Sequence, residues 1–146
     1  MKIKKGDKVS DMAWYAAECR AQQWFEDKQF NCYRASIGNK GWDLLVNNRY
    51  RINVKYSDGR QSNHDELEFF LHYSYQLVET DYFLFMFSKS FDSLEQRRYL
   101  VPADLLCDRT VLYFDRHDIP NWLKRFKLTK QECLLLFDTE RTGFNV

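Results

Sequence analysis

Gly41-Trp42-Asp43-Leu44-Leu45-Val46, followed a few residues on by Arg51-Ile52-Asn53-Val54-Lys55-Tyr56, is the stretch whose reading decides the fold. It reads as two short apolar strands joined by a tight turn, each keeping a polar residue that a buried strand has no structural reason to hold. Those residues are Asp43 and Lys55, with Asn53 between them. An acid and a lysine close together on a rigid sheet are a common means of placing a divalent metal and stabilising charge on a phosphate. The register decides whether they meet. A two-residue turn at Asn47-Asn48 pairs Val46 with Arg49 and leaves Asp43 and Lys55 on opposite faces. A three-residue turn at Asn47-Asn48-Arg49 pairs Val46 with Tyr50 and sets Asp43 opposite Asn53. Asparagine tolerates the left-handed backbone that the longer turn needs, so that register is allowed without being forced.

Upstream, Ser10 is placed to cap a helix from about Asp11 to Asp27, rich in Ala, Gln and Glu and free of Gly and Pro. Trp14, Glu18, Ala21 and Phe25 follow helical spacing and share one stripe. A carboxylate in such a stripe is costly without a partner, so Glu18 is expected to meet a basic side chain or a metal. Asn31 to Ile37 alternates as a strand with Cys32, Arg34 and Ser36 on one face. Gly38-Asn39-Lys40-Gly41 is a turn by composition.

Downstream, Glu66 to His72 fits a strand or a short helix, and periodicity leaves both open. Tyr82-Phe83-Leu84-Phe85-Met86-Phe87 reads as a central strand buried on both faces. Arg98 to Val101 is a further strand, and Pro102 is suited to open a short helix through about Cys107. Val111 to Phe114 reads as an edge strand, Pro120 as the start of a helix through about Phe126, and Thr129 to Phe137 as a last helix. With no internal repeat and no linker, the expectation is one domain over residues 1–146, the first nine residues forming a basic leader.

Composition narrows the class. The chain has 146 residues, 45% apolar and 29% charged, as ordinary globular proteins do. A net charge of +1 excludes a strongly basic nucleic-acid coat, yet Lys28 to Arg60 carries seven Lys/Arg against two Asp/Glu. Cys19, Cys32, Cys107 and Cys133 form no zinc-type spacing and read as free thiols in a reducing cytoplasm. His64, His72 and His117 lack ligand spacing. No apolar run approaches a membrane span, and no signal peptide precedes the helix.

The order of helix with Glu18, strand with Arg34 and Ser36, strand with Asp43, and strand with Asn53-x-Lys55 resembles the core of the PD-(D/E)xK nuclease superfamily. Within it, the chain is most similar to small Holliday-junction resolvases and homing endonucleases. Glu18 precedes Asp43 by 25 positions, close to the interval seen in that family. The likeness runs from Met12 to Cys107. It implies an α/β fold with a central mixed β-sheet flanked by helices, the restriction-endonuclease-like core. It also implies an endonuclease that cleaves DNA with Mg²⁺ or Mn²⁺, and a homodimer, because one compact subunit covers only part of a duplex. On this likeness Asp43 and the backbone carbonyl of Val54 would hold the ion and Glu18 would add charge. Lys55 would position or activate the attacking water, and Arg34, Ser36 and Lys40 would contact flanking phosphates. Arg51 and Arg60, clustered with Arg34 and Arg49 about the hairpin, read either as a phosphate track or as solvated charges.

One departure stands out. Asn53 occupies the position where the family carries its second acid, and an amide offers a hard cation a single neutral oxygen. A weak ligand or a water-orienting group is the implied role. The alternative is a catalytically inactive nuclease fold that binds nucleic acid or a protein partner. A third reading is a structural α/β protein in which Asp43 and Lys55 form an ordinary ion pair.

Overall fold

The computed structural model describes residues 9–35, 41–58, 65–71, 79–90, 93–106 and 109–129. The element order is α1 (Val9–Asp27), β1 (Cys32–Arg34), β2 (Leu44–Val46), β3 (Tyr50–Tyr56), β4 (Glu66–Phe70), β5 (Tyr82–Ser88), β6 (Gln96–Pro102), a 3-10 turn (Ala103–Leu106), β7 (Val111–Asp115) and α2 (Asn121–Lys124). Five strands form one sheet in the order β1-β2-β3-β5-β6, and β4 pairs with β7 in a second, two-stranded sheet. Within the large sheet β3 and β5 run parallel, and every other neighbour is antiparallel. The sheet is therefore mixed, as the sequence implies.

The run Tyr82 to Ser88 is buried along its whole length because both faces are covered. Leu84 and Met86 pack into the cluster under α1, while Phe83, Phe85 and Phe87 enter the cluster under β4 and β7. On α1 the residues in full contact with the sheet are Ala17, Ala21 and Phe25, at i, i+4 and i+8. Two small side chains in that stripe let the helix lie close to the strands. Trp14 is exposed, so the expected stripe through Trp14 and Glu18 is displaced, and Glu18 falls at the edge of the contact rather than in its middle.

The expectation of a sheet flanked by helices needs correction. Among the described residues one long helix covers one face, and the other is covered mainly by β4 and β7, with Leu106 of the 3-10 turn and Leu123 of the short α2 joining the same cluster. Leu67, Phe69, Leu112 and Phe114 point inward from β4 and β7. Phe69 meets Phe85 at 5.1 Å and Phe114 at 5.6 Å between ring centroids. Pairing with β7 is what makes Glu66–Phe70 a strand rather than a helix. The helix expected from Pro120 lasts only from Asn121 to Lys124, because Lys127 then forms a bridge with Tyr99 beside β6. The helix expected after Pro102 is a single 3-10 turn. Of the expected leader over residues 1–9, Val9 already belongs to α1 and the rest lies outside the described residues, as does the expected last helix beyond Thr129. Among the described residues no helix is long and apolar enough to cross a membrane.

Candidate functional site

The hairpin takes the three-residue turn. Val46 pairs with Tyr50, Leu45 with Arg51 and Leu44 with Ile52, while Asn47 and Asn48 hold φ of 54° and 57°. The β2–β3 ladder stops at Leu44 and Ile52, but β3 continues beside β5 as far as Tyr56 and Met86. Among the described residues no strand pairs with that edge of the far half of β3, and Asp43 stands at the fork.

Backbone bonds fix Asp43 on both sides. Its N–H donates to the carbonyl of Ile52 at 2.8 Å, and its own carbonyl accepts from the N–H of Ala35 at 2.8 Å. Its Oδ2 accepts the N–H of Val54 at 2.7 Å, taking the place of a strand partner. The N–H and C=O of one strand residue leave on the same edge, so the Val54 carbonyl also opens toward Asp43.

Three charged side chains converge here from both faces of the sheet. Glu18 reaches in from α1, and its Oε1 accepts from Arg34 Nη2 at 2.8 Å. This is the basic partner that the sequence demanded for it. Arg34 is further held by the Tyr15 ring, 4.5 Å from the guanidinium carbon, and by Cys19 Sγ at 3.6 Å. Lys55 lies on the opposite face, since it alternates with Val54 and Tyr56, which pack on the α1 side.

The electrostatics express this crowding. Burial, then the charge of Asp43, pushes the Glu18 carboxyl up to about 7 against the opposing pull of Arg34. Burial raises Asp43 as well, opposed by the Val54 N–H, Lys55 and Arg34. Burial lowers Lys55, opposed by Asp43. The charge of Asp43 beside Glu18 favours an added positive charge there, a proton or a cation alike. Oxygen donors from Asp43, Glu18 and the Val54 carbonyl therefore fit a Mg²⁺ that keeps several waters. They do not make an all-protein cage, and among the described residues no three His, Cys, Asp or Glu side chains cluster to hold a metal.

Asn53 does something the sequence did not suggest. It is buried, and its Nδ2 donates to the carbonyl of Gly41 at 2.8 Å. The hydroxyl of Thr80, also buried, donates to the same carbonyl at 2.8 Å. The amide thus fastens the chain two residues before Asp43. Gly41 is tightly enclosed, since a Cβ there would come 2.6 Å from Cβ of Glu79. Thr80 carried no sequence signal, because its partner is 39 residues away. Tyr15, spaced i, i+3 from Glu18, did carry one.

The remaining expected residues divide. Arg51 makes an ion pair with Asp81 through Nε at 3.2 Å, and its backbone N–H donates to the same carboxylate at 2.8 Å, four residues before Lys55. Its charge is compensated at the start of β3, away from the fork. Arg49 stacks on Tyr50 at 5.1 Å in the turn. Ser36, Lys40 and Arg60 lie outside the described residues, as do His64, His72, Cys107 and Cys133. Cys19 and Cys32 are free thiols.

No family model matches the sequence, and no curated protein matches it. Among solved structures, a bacterial homing endonuclease, I-Ssp6803I, superposes with a TM-score of 0.65. The match covers 91% of this chain and 95% of that one at 11% sequence identity, so the likeness is one of fold. The fold resembles a homing endonuclease.

Proposed function

We propose that the chain is a metal-dependent endonuclease that hydrolyses phosphodiester bonds in DNA. The observation that carries the reading is the fork: Asp43 bound to the edge of β3 at Val54, with Glu18 and Lys55 close enough for their charges to act on it. The likeness in fold to a homing endonuclease supports it. Asp43 and the Val54 carbonyl would hold Mg²⁺ or Mn²⁺, with Glu18 adding charge. The ion would supply positive charge against the scissile phosphate and its leaving oxygen. Lys55, less basic than an exposed lysine, would orient the attacking water and accept its proton at Nζ. Arg34 would keep Glu18 aimed at the fork. A homodimer would place one such site on each strand of a duplex.

Incubation of the purified chain with plain, nicked and branched duplex DNA and Mg²⁺ or Mn²⁺ tests this reading, with Asp43→Ala as control. Cleavage that requires both the metal and Asp43 is the expected result. A second reading, a nuclease fold that binds DNA without cutting it, is favoured by the bond from Asn53 to Gly41, which ties up the amide standing at the acid's position. Tight binding with no cleavage of any substrate would select it.

A further inference from the structure

Tyr56 pairs with Met86 and Met86 with Arg98, so these three form a row across the sheet on the α1 side. Arg20 and Trp24 of α1, one turn apart, lie over that row. The Arg20 guanidinium sits 5.6 Å from the Tyr56 ring centroid, and the Arg98 guanidinium 5.7 Å from that of Trp24. Two guanidiniums and two aromatic rings therefore share one patch, with Lys28 Nζ a third cation 5.4 Å from the Trp24 ring centroid. Among the described residues neither arginine has a carboxylate or any hydrogen-bond partner, and the Nε of each is closed off from solvent. The charges also oppose each other: burial, then the neighbouring Arg20, makes Arg98 a weaker base than usual.

Half-buried like charges without a counter-ion are costly to keep in a fold. An anion with several oxygens relieves that cost by accepting from both planar guanidiniums at once, and a phosphodiester is such an anion. Aromatic faces beside the cations suit a nucleotide better than an acidic side chain. The position is suitable too. Tyr56 lies two residues beyond Val54, roughly 7 Å along β3, so the patch adjoins the fork at the same end of the sheet.

We infer that Arg20 and Arg98 form a second phosphate subsite, gripping a backbone phosphate that flanks the one in the Asp43 and Lys55 site. This rests on the nuclease reading for the identity of its ligand as nucleic acid. The test is anisotropy of a labelled DNA duplex in EDTA, across a salt series, with Arg20→Gln and Arg98→Gln singly and together. The double variant should bind roughly ten-fold more weakly, and its slope of log affinity against log salt should be shallower by about 0.9, the value of one phosphate contact. Arg20→Lys, which keeps the charge, should retain most of the slope. Unchanged affinity and slope in the double variant overturn the subsite. Displacement of the duplex by polyglutamate at equal charge overturns it in favour of an acidic protein partner. The nuclease reading is judged separately: cleavage by the wild type with full binding by the double variant removes only the subsite. Weakened binding in a chain that never cuts supports the subsite and removes only the catalysis.

Discussion

Two buried donors share one acceptor at the approach to Asp43, and a thermodynamic cycle can expose it. Asn53 Nδ2 and Thr80 Oγ1 each lie 2.8 Å from the Gly41 carbonyl. Asn53→Leu removes one donor with little change of volume, and Thr80→Val removes the other. Either change alone leaves the carbonyl satisfied, so each should cost about 1 kcal/mol, the net value of one hydrogen bond. Together they strand a carbonyl on an enclosed residue, which adds roughly 1–3 kcal/mol for an unsatisfied buried acceptor. The double variant should therefore lose about 3–5 kcal/mol where simple addition gives about 2. Asn53→Asp sharpens the point. It places a carboxylate in nearly the same shape, yet it faces a carboxylate oxygen toward a carbonyl oxygen, so at neutral pH it should cost about 3–5 kcal/mol, more than Asn53→Leu. Urea unfolding in EDTA, followed by far-UV circular dichroism, measures all four variants. Additivity within about 0.5 kcal/mol, or an Asn53→Asp variant as stable as the wild type, would refute the assignment of Asn53 as the anchor of Gly41.

Three other outcomes are expected. Asn48→Val forces a β-branched side chain into the left-handed turn and should lower stability by about 1–2 kcal/mol, whereas Asn48→Gly should be close to neutral; thermal melts of both compare them. Phe25 is fully buried between α1 and the sheet, so Phe25→Ala should cost about 3–5 kcal/mol in a urea titration. Burial, then the charge of Glu26, lifts the Cys32 thiol from 9.0 to about 12. Between those values the unfolded chain gives up its proton while the folded chain keeps it, so stability falls as pH rises through that window. Wild type should lose stability more steeply than Cys32→Ala above about pH 9, the extra slope rising toward about 1.4 kcal/mol per pH unit by about pH 10.5, and parallel curves would contradict this.

What the sequence made legible was local. The three-residue turn rests on two adjacent asparagines, α1 on a long stretch without Gly or Pro, and β5 on an unbroken apolar run. Each signal lies within one element. Of the candidate site, the meeting of Asp43, Lys55 and Glu18 was legible because a charge in an apolar pattern stands out wherever it occurs. The rest depends on contacts far apart in the chain. Glu68 and Tyr113 pair across 45 residues, so nothing near Glu66 announced a strand in a second sheet, or that strands rather than helices would close that face. Arg51 read as a candidate phosphate contact until its partner Asp81, 30 residues on, was in place. Arg20 and Arg98 each look like ordinary surface charge until the fold brings them together.

Asn53 was legible as a departure and illegible as a cause. Judged by the motif alone, an amide in the acid's place is a loss of charge. Judged by the fold, it is a donor that an acid cannot supply, aimed at the carbonyl two residues before Asp43. The fork then accounts for where charge is found instead. Glu18 crosses from α1 to the same gap, and the Arg34 guanidinium, clamped by Tyr15 and Cys19, fixes its direction. A carboxylate that position 53 lacks is thus supplied from the helix, held by Arg34 on one side and facing the charge of Asp43 on the other. A site built this way is tuned from α1, so substitutions at Arg34 or Tyr15 should matter to it as much as substitutions on the hairpin itself.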